Sequence, residues 1–125
     1  MPILRILAAA LVAAALAWGG CGAASAHVED AAGLDADDPR VGLHDDEIVL
    51  IAADWCGFCQ RQVQDFERGG VRYRLLDYDT AAGRNAARAL GLRGVPITVI
   101  GRDVVQGYRP DQLGPRLAPL GYDIY

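Results

Sequence analysis

Apolar positions along this chain change their period several times, and each change marks an element. Residues 47–53 (Glu-Ile-Val-Leu-Ile-Ala-Ala) form a nearly unbroken apolar, β-branched run, as a strand covered on both faces requires. From Gly57 the run breaks, and Phe58, Val63 and Phe66 recur at roughly helical spacing until Gly69-Gly70, which predicts a helix over 57–68. Residues 71–77 (Val-Arg-Tyr-Arg-Leu-Leu-Asp) read as a second strand. Thr80 is the N-cap expected of a helix over 81–90, and Gly91 stands where a C-terminal glycine belongs. Residues 97–100 and 104–106 are two short strands, with Gly101-Arg102-Asp103 as the hairpin turn between them. Pro110 opens a last helix, which Leu113-Gly114-Pro115 is expected to shorten or kink before Leu117 and Leu120. The order is β-α-β-α-β-β-α. Its strand–helix–strand start makes the first two strands parallel with a right-handed crossover, and the hairpin adds an antiparallel edge.

The residues ahead of this pattern belong to something else. Arg5 is a minimal positive start, and Ile6 to Trp18 form an apolar stretch too short to span a bilayer. Ala24-Ser25-Ala26 is a small-x-small cleavage site, so residues 1–26 read as an export signal with a mature start at His27. Cys21 carries a second reading, because a cysteine after a hydrophobic run is also where lipoproteins are acylated. The Trp18-Gly19-Gly20 before it departs from the usual Leu-Ala-Gly type. A signal left uncleaved would instead anchor the chain. The organisation expected is a signal (1–26), an acidic flexible leader (27–46) and one folded domain (47–125) in the periplasm or otherwise outside the cytoplasm.

Composition narrows this only a little. With 52% hydrophobic residues, 125 residues suffice for one small core. All 12 basic residues are Arg, a bias of GC-rich bacterial genomes and not a sign of function. The formal charge of −4 becomes −5 when Arg5 leaves with the signal, and nothing here points to nucleic acid. Much of the acidity lies in residues 29–46, as expected of a solvated leader. One acidic domain without internal repeats suits a monomer.

The chemistry is concentrated in two segments, Trp55-Cys56-Gly57-Phe58-Cys59 and Gly94-Val95-Pro96-Ile97-Thr98. Two cysteines separated by two residues at a strand-to-helix junction can cycle between dithiol and disulfide. The unpaired N–H groups and positive dipole of the helix start stabilise a thiolate at Cys56. Cys56 is expected to be the exposed nucleophile, and Cys59, one turn further in, the buried resolving cysteine. Loss of Cys21 with the signal leaves no spare thiol, which suits an oxidising compartment. A static disulfide would close too small a loop to add much stability. A zinc site lacks ligands, because the only histidines, His27 and His44, lie in the leader. The alternative from another class is a non-catalytic module holding Cu(I) or another soft metal on the same two cysteines. An extra Met, His or Cys near the pair would favour it, and the sequence has none there.

With these motifs in this order, residues 46–120 resemble the thioredoxin superfamily, and within it the glutaredoxin branch. Trp-Cys-Gly-Phe-Cys resembles a thioredoxin-type active site, and Cys-Gly-Phe-Cys also resembles the Cys-Gly-Tyr-Cys of periplasmic disulfide isomerases. Gly107-Tyr108-Arg109-Pro110-Asp111 resembles the C-terminal signature of glutaredoxin-like redoxins that serve ribonucleotide reductase. The resemblance implies an α/β, thioredoxin-like (glutaredoxin-type) fold, a four-stranded mixed sheet flanked by helices. It also implies a cis Val95–Pro96 bond beside the cysteines, with Val95 offering its N–H and C=O to an extended substrate. Trp55 is expected to shield the site, and Phe58 to pack on substrate or cover the helix. No cofactor is implied beyond the redox-active disulfide. Two departures matter. Leu50 stands where thioredoxins carry a buried Asp. Arg109 replaces the Asp with which glutaredoxins hold the glutathione amine, which argues against glutathione and leaves protein thiols and an unidentified redox partner.

Overall fold

Ile48–Ala52 forms the central strand β1, buried at all five positions. The computed structural model describes residues 33–125; the expected signal, Cys21 and the first six residues of the leader lie outside the described residues. Around β1 run α1 (Gly57–Arg68), β2 (Arg74–Asp77), α2 (Ala81–Ala89), β3 (Ile97–Ile100), β4 (Asp103–Gln106) and α3 (Pro110–Leu117), ending in a 3-10 turn over Ala118–Leu120. The sheet order is β2-β1-β3-β4, with β1 and β2 parallel and the other two pairs antiparallel. This is the expected mixed sheet.

Alternation along the strands divides the core into two layers. Ile48, Leu50, Ile100 and Val105 pack with Phe66 of α1 and with Leu113 and Leu117 of α3. Ile51 and Ile97 pack with Ala86 and Ala87 of α2 on the other face. Helices on both faces explain why β1 is apolar at every position.

Several elements differ in detail from the sequence expectation. The second strand begins at Arg74, not at 71, because Val71 finishes α1 instead: its N–H donates to the Phe66 carbonyl at 2.9 Å, after Gly70 turns the chain at φ 66°. The hairpin has a two-residue turn, Gly101-Arg102, because Asp103 already pairs with Ile100. Pro115 lies inside α3 without ending it. On α1 the buried face is Cys59, Gln62 and Phe66, whereas Phe58 faces outward. Residues 33–46, expected as a solvated leader, form hydrogen-bonded turns. Among them Asp38 is buried in an ion pair with Arg40 at 2.6 Å. That arginine holds the Asp38 carboxyl below the usual carboxylate range through its side-chain hydrogen bonds.

Candidate active site

The connection from β1 to α1 delivers both cysteines to the end of the sheet where β1 leaves its core. Cys56 is the N-cap of α1 in extended backbone, and its Sγ accepts the Cys59 N–H at 3.2 Å. The sulfur there satisfies one of the helix's unpaired donors. The two cysteines form a disulfide, with their Cα atoms 5.2 Å apart. Cys59 is fully buried and Cys56 is 8% exposed. The order of exposure follows the expected roles, but Cys56 is more covered than expected. It turns its sulfur inward onto the helix start and against the Val95 carbonyl, 3.7 Å away.

Val95 and Pro96 therefore stand directly beside the pair. The Val95–Pro96 peptide is cis, and the Pro96 carbonyl accepts the Gly107 N–H at 2.8 Å, tying this loop to the end of β4. Trp55 and Phe58 are the exposed flanks, 66% and 62% accessible. The Trp55 indole N–H donates to the Asp79 carboxylate at 3.0 and 3.2 Å, which fixes the ring while leaving its face open. Phe58 stacks on Tyr108, with ring centroids 6.1 Å apart.

Tyr108 links the cysteine motif to the C-terminal motif. Its hydroxyl donates to Asp65 at 2.5 Å, Arg68 pairs with the same carboxylate at 2.6 Å, and the Tyr125 ring meets Tyr108 edge-on at 6.4 Å. The Arg61 guanidinium sits 5.9 Å from the Tyr108 ring centre. Among the described residues, no group of three or more His, Cys, Asp or Glu converges as a metal ligand set.

No protein-family model and no curated protein matches this sequence. Solved structures do. A glutaredoxin-like NrdH-redoxin from Escherichia coli is similar over 55% of this chain and 92% of its own, at 24% identity and a TM-score of 0.51. A buckwheat glutaredoxin solved with glutathione is similar over 66% of this chain and 86% of its own, at 25% identity and a TM-score of 0.52. A thioredoxin-like protein is covered over its full length by 57% of this chain, at 25% identity and a TM-score of 0.53. The fold is thioredoxin-like, of the glutaredoxin type. Within it the chain carries a Cys56–Cys59 pair at the start of the first helix.

Some residues of this thioredoxin-like site escape a reading by motif. Asp79 holds Trp55 from 24 residues further along the chain, and Asp65 holds the Tyr108 ring on which Phe58 stacks; neither periodicity nor spacing marks these two aspartates. Asp65 also gives the site a pH signature. Burial pushes its carboxyl up, but hydrogen bonds from Tyr108, Arg68 and Tyr125 outweigh this and hold it below the usual range. A depressed folded-state pKa stabilises the fold above the unfolded value of about 3.9, and the contribution is lost as pH falls through the folded value. Asp65→Asn is therefore expected to destabilise the protein by about 1 kcal/mol at pH 7. In denaturant titrations the difference between the two proteins should shrink as pH falls below the unfolded carboxylate value of about 3.9; an undiminished difference at the lowest pH would remove the charge from the explanation.

Proposed function

We propose that this chain is an exported protein thiol–disulfide oxidoreductase that exchanges disulfides with protein substrates through Cys56 and Cys59. The observation that carries the reading is the placement of Cys56 at the N-cap of α1, bonded to a cysteine buried behind it. In the reduced form the Cys59 N–H that now points at Cys56 Sγ would stabilise a thiolate there, together with the helix dipole.

The exchange balances in two steps. The Cys56 thiolate attacks one sulfur of a substrate disulfide, forming a mixed disulfide and releasing the other sulfur as a thiol. Cys59 then loses its proton to solvent and attacks Cys56 Sγ, forming the Cys56–Cys59 disulfide and releasing the second substrate sulfur. Two electrons have moved to the substrate. The reverse sequence oxidises a dithiol, and the recycling partner sets the net direction. The absence of a His between the cysteines favours the reducing direction.

The exposed Trp55 and Phe58 rings and the Val95 backbone give an extended polypeptide a surface beside the reacting sulfur. Glutathione is the weaker candidate substrate. The buckwheat glutaredoxin was solved with that tripeptide, whereas here the resemblance sets Arg109, the N-cap residue of α3, against the acidic residue that would hold its amine. Export rests on the 1–26 pattern and Ala24-Ser25-Ala26, with attachment at Cys21 as the lipid-anchored variant of the same function. Among the described residues no helix is long and apolar enough to cross a membrane. Reductive turnover of insulin disulfides by the protein and by its Cys56→Ser variant tests the mechanism; turnover insensitive to that change excludes it.

A further inference from the structure

A polar pair lies where the packing between α1 and the sheet is otherwise apolar. Gln62 and Thr98 are both fully buried, and the Gln62 amide Nε2 donates to the Thr98 hydroxyl. The other half of the amide, Oε1, has no protein partner. A carbonyl oxygen buried without a donor carries the desolvation penalty of that group, so its presence calls for an explanation.

Its position supplies one. Gln62 follows Cys59 by three residues on α1, and both occupy the buried face. Side chains three apart on a helix are neighbours, and long ones lean back toward the N-terminus, which here is toward Cys59. Thr98 holds the far side of the amide from β3, two residues after Pro96. Leu50 and Val105 flank Thr98 across the sheet and Phe66 follows Gln62 by four residues on the buried face of α1, and none of the three has a side-chain donor to offer. Cys59 is different: it has no proton in the disulfide and gains one on reduction.

We propose that Gln62 is a positioning residue that sets the redox poise of the pair, its Oε1 accepting the Cys59 S–H in the dithiol and standing without a partner in the disulfide. When a donor dithiol reduces the protein, the Cys56–Cys59 bond breaks and the donor's own disulfide forms. One proton comes to rest on Cys59 Sγ, pointing at the waiting oxygen. Thr98 takes only the amide's other end, Nε2, which leaves Oε1 as the unpartnered acceptor. The effect favours the dithiol and makes the couple more oxidising than an apolar residue at position 62 would. This rests on the redox reading of the two cysteines.

The test equilibrates the wild-type protein, Gln62→Met and Thr98→Val against glutathione buffers at pH 7, with alkylation and mass spectrometry of the Cys56–Cys59 peptides. Gln62→Met keeps the volume and removes the amide; it should shift the equilibrium toward the disulfide about fivefold, or ~20 mV for a two-electron couple. Thr98→Val breaks the same buried pair but leaves Oε1 in place, so it should lower stability while staying within about twofold of the wild-type equilibrium. An unmoved Gln62→Met, or a Thr98→Val shift of equal size, overturns the proposal. A wild-type protein without a reversible couple would instead remove the functional reading. Infrared spectra then decide the role of Gln62 alone, in protein carrying Cys21→Ser and Cys56→Ser. The single Cys59 S–H stretch should lie at lower wavenumber than when Gln62→Met is added, and identical bands would overturn the hydrogen bond.

Discussion

Cys59→Ser is expected to stop the reaction halfway. Mixed in reduced form with oxidised insulin and no other thiol, it should accumulate a covalent adduct through Cys56, visible by mass under non-reducing conditions, without releasing reduced chains. Cys56 stands at the helix N-cap with Cys59 N–H aimed at its sulfur, so the first attack needs nothing from the Cys59 side chain. The second attack needs it entirely. Its speed comes from holding the two cysteines three residues apart with their sulfurs in reach of each other, an effective concentration that an external thiol cannot match. Cys56→Ser should fail earlier, with no adduct and turnover reduced on the order of 10³-fold or more, to the uncatalysed background. If Cys59→Ser turned over at the wild-type rate, the pair would not act as nucleophile and resolver.

The second large effect concerns how α1 is held. Phe66 is fully buried, two turns along the helix from the cysteine pair, and its ring meets Tyr73 edge-on at 5.3 Å. It belongs to the layer with Leu50, Leu113 and Leu117 and so joins α1, α3 and the central strand. Phe66→Ala should lower the unfolding free energy by about 3–5 kcal/mol, combining lost burial with the cavity left behind. Phe66→Leu should cost distinctly less because it leaves a smaller void. Denaturant unfolding of the three proteins measures both, and a loss below about 1 kcal/mol for Phe66→Ala would mean that this layer does not anchor the helix.

How much of this was legible in the sequence depends on the range of the interaction. Local signals placed elements well: the Gly69-Gly70 stop, the Thr80 cap and the opening Pro110 all mark the boundaries found. The cysteine motif and Pro96, 37 residues further on, do come together at one site, because the strand order brings β3 beside β1. Long-range polar pairings left no such trace. Nothing in the sequence singles out Gln62, which meets Thr98, 36 residues away, in the core. Asp38 reads as part of a solvated acidic run, yet Arg40 neutralises it and it is buried.

Phe58 shows a different failure. Its apolar side chain matched the helical period, but the true stripe is set by Cys59, and an exposed aromatic at the mouth of a site breaks the rule that apolar residues mark the core. Gly83 shows a third. In the first turn of a helix it looks like a weak residue, whereas a Cβ at that position would run into the Asp77 carbonyl and the Tyr78 backbone at the end of β2. Close approach of helix and strand, not local propensity, selects glycine there.

The most direct measurement is the redox equilibrium of Cys56 and Cys59 in the purified wild-type protein, read peptide by peptide after alkylation so that Cys21 does not contribute. A single reversible two-electron transition is expected, nearer the thioredoxin scale of about −270 mV than the value of about −120 mV of a strong oxidant. A pair that shows no reversible transition across glutathione buffers would contradict thiol–disulfide exchange as the function of this site.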